Sequence, residues 1–182
     1  MISLRVRYAS PGAPNSVLDK NPGEVLHIYR RSLVGKIMFF ATKIGPKMCN
    51  QVRDLARYMS NPGEEHWVAL GRLIGYMKGM EIKGMILRNP VDLRTVSLID
   101  SDFAKDPVTR KSVGGELYNL GGCLTANSSK GEKSISNSTA EAEYKSLSNG
   151  GREAKFQQML LEEIAYVKTP GILLEDNEGC EE

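Results

Sequence analysis

Cysteine is scarce: Cys49, Cys123 and Cys180 are the three in 182 residues. They lie far apart with no Cys-x-x-Cys pair, which excludes a zinc ribbon and a disulfide framework. Three reduced thiols in an intracellular protein, cytoplasmic or nuclear, are the expectation. No apolar run approaches the roughly 20 residues that span a bilayer, so no membrane partner is expected. Arg5 and Arg7 near the start precede no apolar segment, so it does not read as a secretory signal. Histidine is scarcer still. His27 and His66 have no acid, cysteine or serine pattern nearby that would build a triad or a metal site, and both read as surface or capping residues. Internal repeats and low-complexity tracts are absent.

What is there is ordinary in bulk and uneven in detail. Hydrophobic content of 41% and charged content of 25% are those of a globular chain. The formal net charge of +2 divides sharply: residues 1–90 hold 14 Lys/Arg against 6 Asp/Glu, and residues 91–182 hold 10 against 16. A basic half beside an acidic half fits a surface that follows a phosphate backbone, next to a site that attracts cations.

Residues 1–28, with Pro11-Gly12, Pro14 and Pro22-Gly23, predict a loose lead-in. Three helices follow in a helical segment, 29–90. Their stripes are Leu33, Ile37, Phe40 and Ile44; then Met48, Val52, Leu55 and Met59; then Trp67, Leu70, Ile74 and Met77. Glu64 and Glu65 sit at the positive start of the third. Gly84–Arg88 reads as a strand, as does the run ending at Asp100. Ser112–Leu120 and Cys123–Asn127, joined by Gly121-Gly122, predict a β-hairpin. Residues 138–165 read as one or two helices, with Asn149-Gly-Gly151 the place for a break, and then comes a strand ending at Asp176. Over residues 91–182 the order β-β-β-α-β gives an α/β fold: a mixed sheet with flanking helices.

Three acids stand where apolar runs meet polar breaks: Asp100, Asp176 and, near the start of the long helix, Glu143. Two carboxylates at strand ends and one on an adjacent helix form the oxygen-rich set that two magnesium ions take in phosphodiester hydrolysis. Strand alternation leaves Asp102 on the same face as Asp100, so geometry does not choose between them. Asp106 precedes Pro107 and reads as a turn residue, and alternation points Glu175 away from Asp176, toward solvent. Ser138-x-x-Glu141 is a capping-box pattern, which gives Glu141 a structural role. Glu143 shares a helical face with Leu147; it points inward if Leu147 packs on the sheet, and the alternative is a solvated Glu143 with Tyr144 packing instead.

These words together resemble a known family. Ser138-Thr-Ala-Glu-Ala-Glu-Tyr144, Ser97-Leu-Ile-Asp-Ser-Asp-Phe-Ala-Lys-Asp106 and Leu173-Leu-Glu-Asp-Asn177 are similar, in order, to the ribonuclease H domain of copia-type retrotransposon polyproteins. Upstream, Tyr29–Met38 and Leu55–Trp67 resemble the segment joining reverse transcriptase to that domain. The resemblance implies a ribonuclease H-like mixed sheet over 91–182, preceded by a small helical connection region. It implies Asp100, Glu143 and Asp176 as catalytic and metal-binding acids, two Mg²⁺ ions as cofactors, and an RNA–DNA hybrid as substrate. Arg110 and Lys130 are the candidate phosphate contacts.

The pattern departs from the family in several places. Ser129-Lys-Gly-Glu132 replaces Ser-Lys-Lys-Gln, Asn127 stands where the family has tryptophan, and Ala140 replaces a threonine. The family's fourth acid would lie beyond Glu182. The expectation is therefore a polyprotein segment, with the polymerase upstream as its partner, and impaired turnover for this chain alone. The alternative is a catalytically silent nucleic-acid-binding or scaffold remnant.

Overall fold

The computed structural model describes residues 7–13, 18, 31–80, 85–90, 92–166 and 168–175. The chain divides into two compact units, 1–85 and 86–182. The expected lead-in, 1–28, lies mostly outside the described residues, although Tyr8 and Leu18 pack on the core of the first unit.

That unit is helical: α1 (Arg31–Lys43), a short 3₁₀ turn at Pro46–Met48, α2 (Cys49–Arg57) and α3 (Glu64–Gly79). Its core gathers Val34, Ile37, Ala41, Met48, Val52, Leu55, Leu70, Leu73 and Tyr76. Burying a Val, Leu or Ile side chain stabilises by about 1.5–3 kcal/mol, so these few residues hold the unit together. The stripe of α2 is the one expected, but the other two helices are rotated. Val34 and Ala41 go inside on α1 while Ile44 stays 42% exposed, and Leu73 takes the place of Ile74 on the buried face of α3. His66 is fully buried rather than on the surface, and it does act as a cap: its Nδ1 accepts the Gly63 N–H at 3.0 Å.

The second unit is a four-stranded mixed sheet in the order β3-β2-β1-β4, packed against one long helix. β1 (Thr95–Asp102) pairs antiparallel with β2 (Val113–Leu120), which pairs antiparallel with β3 (Cys123–Gly131). β4 (Ile172–Leu174) joins β1 in parallel, with Leu174 opposite Leu98. The two-residue turn Gly121-Gly122 has φ of +55° and +81°, the left-handed pair that matches strand twist in a tight hairpin. Gly121 has a second reason to lack a side chain, because a Cβ there would lie 2.2 Å from Pro90 Cβ.

One expectation fails in this unit, and one open alternative is settled. The described part of the strand expected at Gly84–Arg88 is irregular: Ile86 and Leu87 are exposed, and the Arg88 N–H goes to Cys123 Sγ at 3.2 Å rather than to a ladder. The helix α4 (Thr139–Ala165) also runs unbroken through Asn149-Gly-Gly151. Gly150 is not a breaker there; it is the point of closest approach to β1, where an added Cβ would lie 2.4 Å from Ile99 Cδ1. The helix backbone stays intact because the glycine admits the strand.

Candidate functional site

The start of α4 is fixed by its cap. Ser138 Oγ accepts the Glu141 N–H at 3.1 Å. The Glu141 carboxylate reaches back one residue further than a capping box requires, accepting from the Asn137 N–H at 2.7 Å and from Asn137 Nδ2 at 3.0 Å. Lys145 Nζ closes the group at 2.7 Å from Glu141 Oε1. The Lys145 ammonium and the Asn137 N–H hold the Glu141 carboxyl below the usual carboxylate range. Glu141 is thereby committed to structure, as its spacing from Ser138 predicts.

With the helix phase set, Ala142, Glu143, Ser146 and Gly150 form the buried face of α4. Tyr144 is 67% exposed, so the reading in which Tyr144 packs and Glu143 is solvated does not hold. Ser146 Oγ donates to the Asp100 carbonyl at 3.1 Å, tying this face of the helix to β1. Gly114, opposite Ser101 on β2, lacks a Cβ where Ser146 Oγ would otherwise lie at 2.7 Å. Glu143 sits one turn before Ser146, about 4.5 Å along the axis, and is 8% exposed.

On β1, Ser97, Ile99 and Ser101 are buried, while Leu98, Asp100 and Asp102 alternate outward. Ile99 meets α4 at Gly150, so the Asp100 side chain leaves the strand on the face away from the helix. Asp100 and Glu143 thus stand on adjacent elements toward the C-terminal end of β1, joined through the Ser146 bond to the Asp100 carbonyl. Asp102 shares the outward face but is engaged by Lys105 Nζ at 2.7 Å. Asp106 is a buried turn residue: its carboxylate accepts the Val108 N–H at 3.0 Å and the Thr109 hydroxyl. Glu175 is half-buried with Oε1 enclosed, not turned to solvent. Asp176 lies outside the described residues. Among the described residues no group of three His, Cys, Asp or Glu side chains is placed to hold a metal ion.

Arg110 and Lys130 are both exposed. Arg110 takes a left-handed φ of +56°, its N–H donating to the Asp106 carbonyl at 2.8 Å, and Lys130 lies opposite Gly114 on β3.

Comparison with known proteins decides the family. Over 174 residues, 94% of the chain, it is 32% identical to the Retrovirus-related Pol polyprotein from transposon RE1 of Arabidopsis thaliana. It is 31% identical over 151 residues to the corresponding protein from transposon RE2 of the same plant. The chain belongs to the Pol polyproteins of copia-type retrotransposons. It spans 12% and 10% of the length of those two Pol polyproteins. A shorter relative, Secreted RxLR effector protein 161 of Plasmopara viticola, is 32% identical over 124 residues and is covered over 87% of its length. No family model and no solved structure matches the chain.

One residue of this Pol segment escaped the sequence reading. Phe39 is 68% exposed on the outer side of α1, between the exposed lysines Lys36 and Lys43. The 3.6-residue period was spent on the buried stripe. An aromatic three or four residues from a lysine on each side was the available signal.

Proposed function

We propose that residues 86–182 form a ribonuclease H-type unit that hydrolyses the RNA strand of RNA–DNA hybrids, with the basic helical unit contributing affinity for nucleic acid. The observation that carries this reading is the placement of Glu143 on the face of α4 that bonds the Asp100 carbonyl. A buried carboxylate is stable only where it is paired, hydrogen-bonded or coordinating a cation. Asp100 and Glu143, with Asp176, offer the hard oxygen donors that magnesium takes, so the donor chemistry fits. Magnesium, when bound, polarises the phosphoryl oxygens and makes water a better nucleophile at neutral pH.

The chain's own residues do the rest. Exposed Asp100 is open to the scissile phosphate, and the α4 cap and the Ser146 bond hold Glu143 in fixed relation to β1. Arg110 and Lys130 are free of the core and available to flanking phosphates. Phe39 with Lys36 and Lys43 supplies an aromatic plane between cations, the surface on which nucleic acid binds through bases and backbone together. Contacts to the 2′-OH would select the RNA strand.

A second reading, a nucleic-acid-binding remnant without turnover, is favoured by one observation: the Asp100 side chain leaves β1 on the face away from α4. Incubating the chain with a labelled RNA–DNA hybrid and Mg²⁺ separates the two. The nuclease reading expects cleavage of the RNA strand, lowered about 10²–10³-fold by Asp100→Asn or Glu143→Gln, the scale of losing one transition-state stabiliser. Salt-sensitive binding with no cleavage at any Mg²⁺ concentration supports the remnant.

A further inference from the structure

The N-terminus of α3 carries an unusual cap. Gly63 occupies the N-cap position and offers no side chain, and the acceptor is supplied from within the helix by His66 at the third position. In a capping box that position is held by Glu or Gln, whose oxygen accepts at every pH above the carboxylate range. Imidazole accepts through Nδ1 only while it is neutral, with its proton on Nε2. The 3.0 Å bond from Gly63 N–H to Nδ1 therefore fixes both the charge and the tautomer of His66.

From this geometry we infer that His66 is a proton-sensitive latch on the helical unit: neutral, it closes the start of α3, and protonated, it releases it. Protonation turns Nδ1 into a donor facing the Gly63 N–H, so the hydrogen bond becomes a repulsion. It also places a full charge on a side chain that is 0% exposed, at the positive end of the helix dipole.

Several groups from neighbouring elements face His66. The Tyr58 ring, from the turn after α2, lies tilted against it at 4.6 Å and 51°, and it carries the Arg57 guanidinium 5.7 Å from its centroid. Arg57 adds positive charge and opposes protonation. Glu65 Oε1, 3.8 Å from Nδ1, favours it, and the exposed Glu64 stands on the same first turn. Glu65 is 47% exposed, so its attraction is screened, whereas the Gly63 bond is buried. The buried Gly63 bond is the contact that requires the neutral ring.

The sign follows. Because protonation breaks the Gly63 bond, the unfolded chain takes up the extra proton more readily than the folded one. The stability due to the latch is full above the unfolded histidine value of about 6.5 and is lost as pH falls below it. Trp67, the one tryptophan in the chain, is the next residue and reports the unfolding of this unit.

The test is thermal unfolding of the full chain by tryptophan fluorescence between pH 8 and 5. The wild type should lose at least about 3 °C of Tm across that range, on the scale of about 1 kcal/mol in a chain this size. His66→Gln, which keeps an acceptor that does not titrate, should flatten the drop, and His27→Gln should leave it intact. Parallel curves for wild type and His66→Gln overturn the inference. If His66→Gln does not fold, the ring is titrated by NMR in the wild type: a midpoint below about 6.5 with the proton on Nε2 supports the latch, and a midpoint at or above it refutes it.

Discussion

Placing a methyl group on Gly150 should do the opposite of placing one on Gly151, although the two are neighbours in one helix. Both lie inside the unbroken α4, where replacing Gly by Ala gains about 0.8–1 kcal/mol in helix propensity. At Gly151 nothing opposes that gain, because the new Cβ would meet Leu173 Cδ1 at 3.8 Å, an ordinary contact. At Gly150 the Cβ would lie 2.4 Å from Ile99 Cδ1 and 2.8 Å from Cγ1. Ile99 is 3% exposed and β-branched, so it has little room and few rotamers for retreat. Overpacking of this kind costs about 1–3 kcal/mol, which outweighs the propensity gain. The net expectation is a loss of up to about 2 kcal/mol for Gly150→Ala and a gain of about 0.5–1 kcal/mol for Gly151→Ala. Denaturant unfolding followed by far-UV circular dichroism reads both. Ile99→Val, which removes Cδ1, should recover part of the Gly150→Ala loss in the double variant. Equal stabilisation by both alanines would refute the close approach of α4 to β1, and with it the phase that turns Glu143 inward.

Further outcomes follow from the same contacts. Ser138→Ala should cost about 1 kcal/mol through the lost N-cap, again by denaturant unfolding. The Glu141 carboxyl is held low by Lys145 and the Asn137 N–H, so its contribution is present above the unfolded value of about 4.3 and lost as pH falls through the lower folded value; Glu141→Gln should flatten that acid limb in a Tm-against-pH series. Burial and the neighbouring Glu116 push the Tyr118 phenol up, so its ionisation should lag the other tyrosines in an ultraviolet titration, and Tyr118→Phe should remove the lagging step. Hybrid affinity should fall steeply with salt, and Phe39→Ala should weaken it without changing the salt slope, since stacking releases no counterions.

The sequence disclosed the parts of this fold that depend on local rules. The Gly121-Gly122 hairpin was legible because only glycine takes two left-handed residues easily, and the α4 cap because Ser138 and Glu141 stand at the required spacing. What escaped depended on tertiary neighbours. Gly150 reads as a breaker until Ile99 is seen above it. Ile86 and Leu87 look like a strand, but the Arg88 N–H is taken by Cys123 and no ladder forms. His66 reads as a surface or capping residue; the cap is there, but nothing local announces that Tyr58 will cover it. At the candidate site, helical phase left Glu143 either inward or solvated until the buried face of α4 was known, and the outward turn of Asp100 needed the side of the sheet that the helix occupies.

The proposed nuclease requires Asp100 and Glu143 to serve one cation, although the Asp100 side chain leaves β1 on the face away from α4. Titrating the full chain with Mn²⁺ and following the broadening of backbone amide signals by NMR tests it most directly. A shared site predicts that Asp100 and Glu143 broaden together at low, substoichiometric Mn²⁺, that excess Mg²⁺ reverses both, and that Glu143→Gln weakens the effect at Asp100. Broadening at Asp100 and Asp102 alone, unchanged by Glu143→Gln, would contradict a shared site.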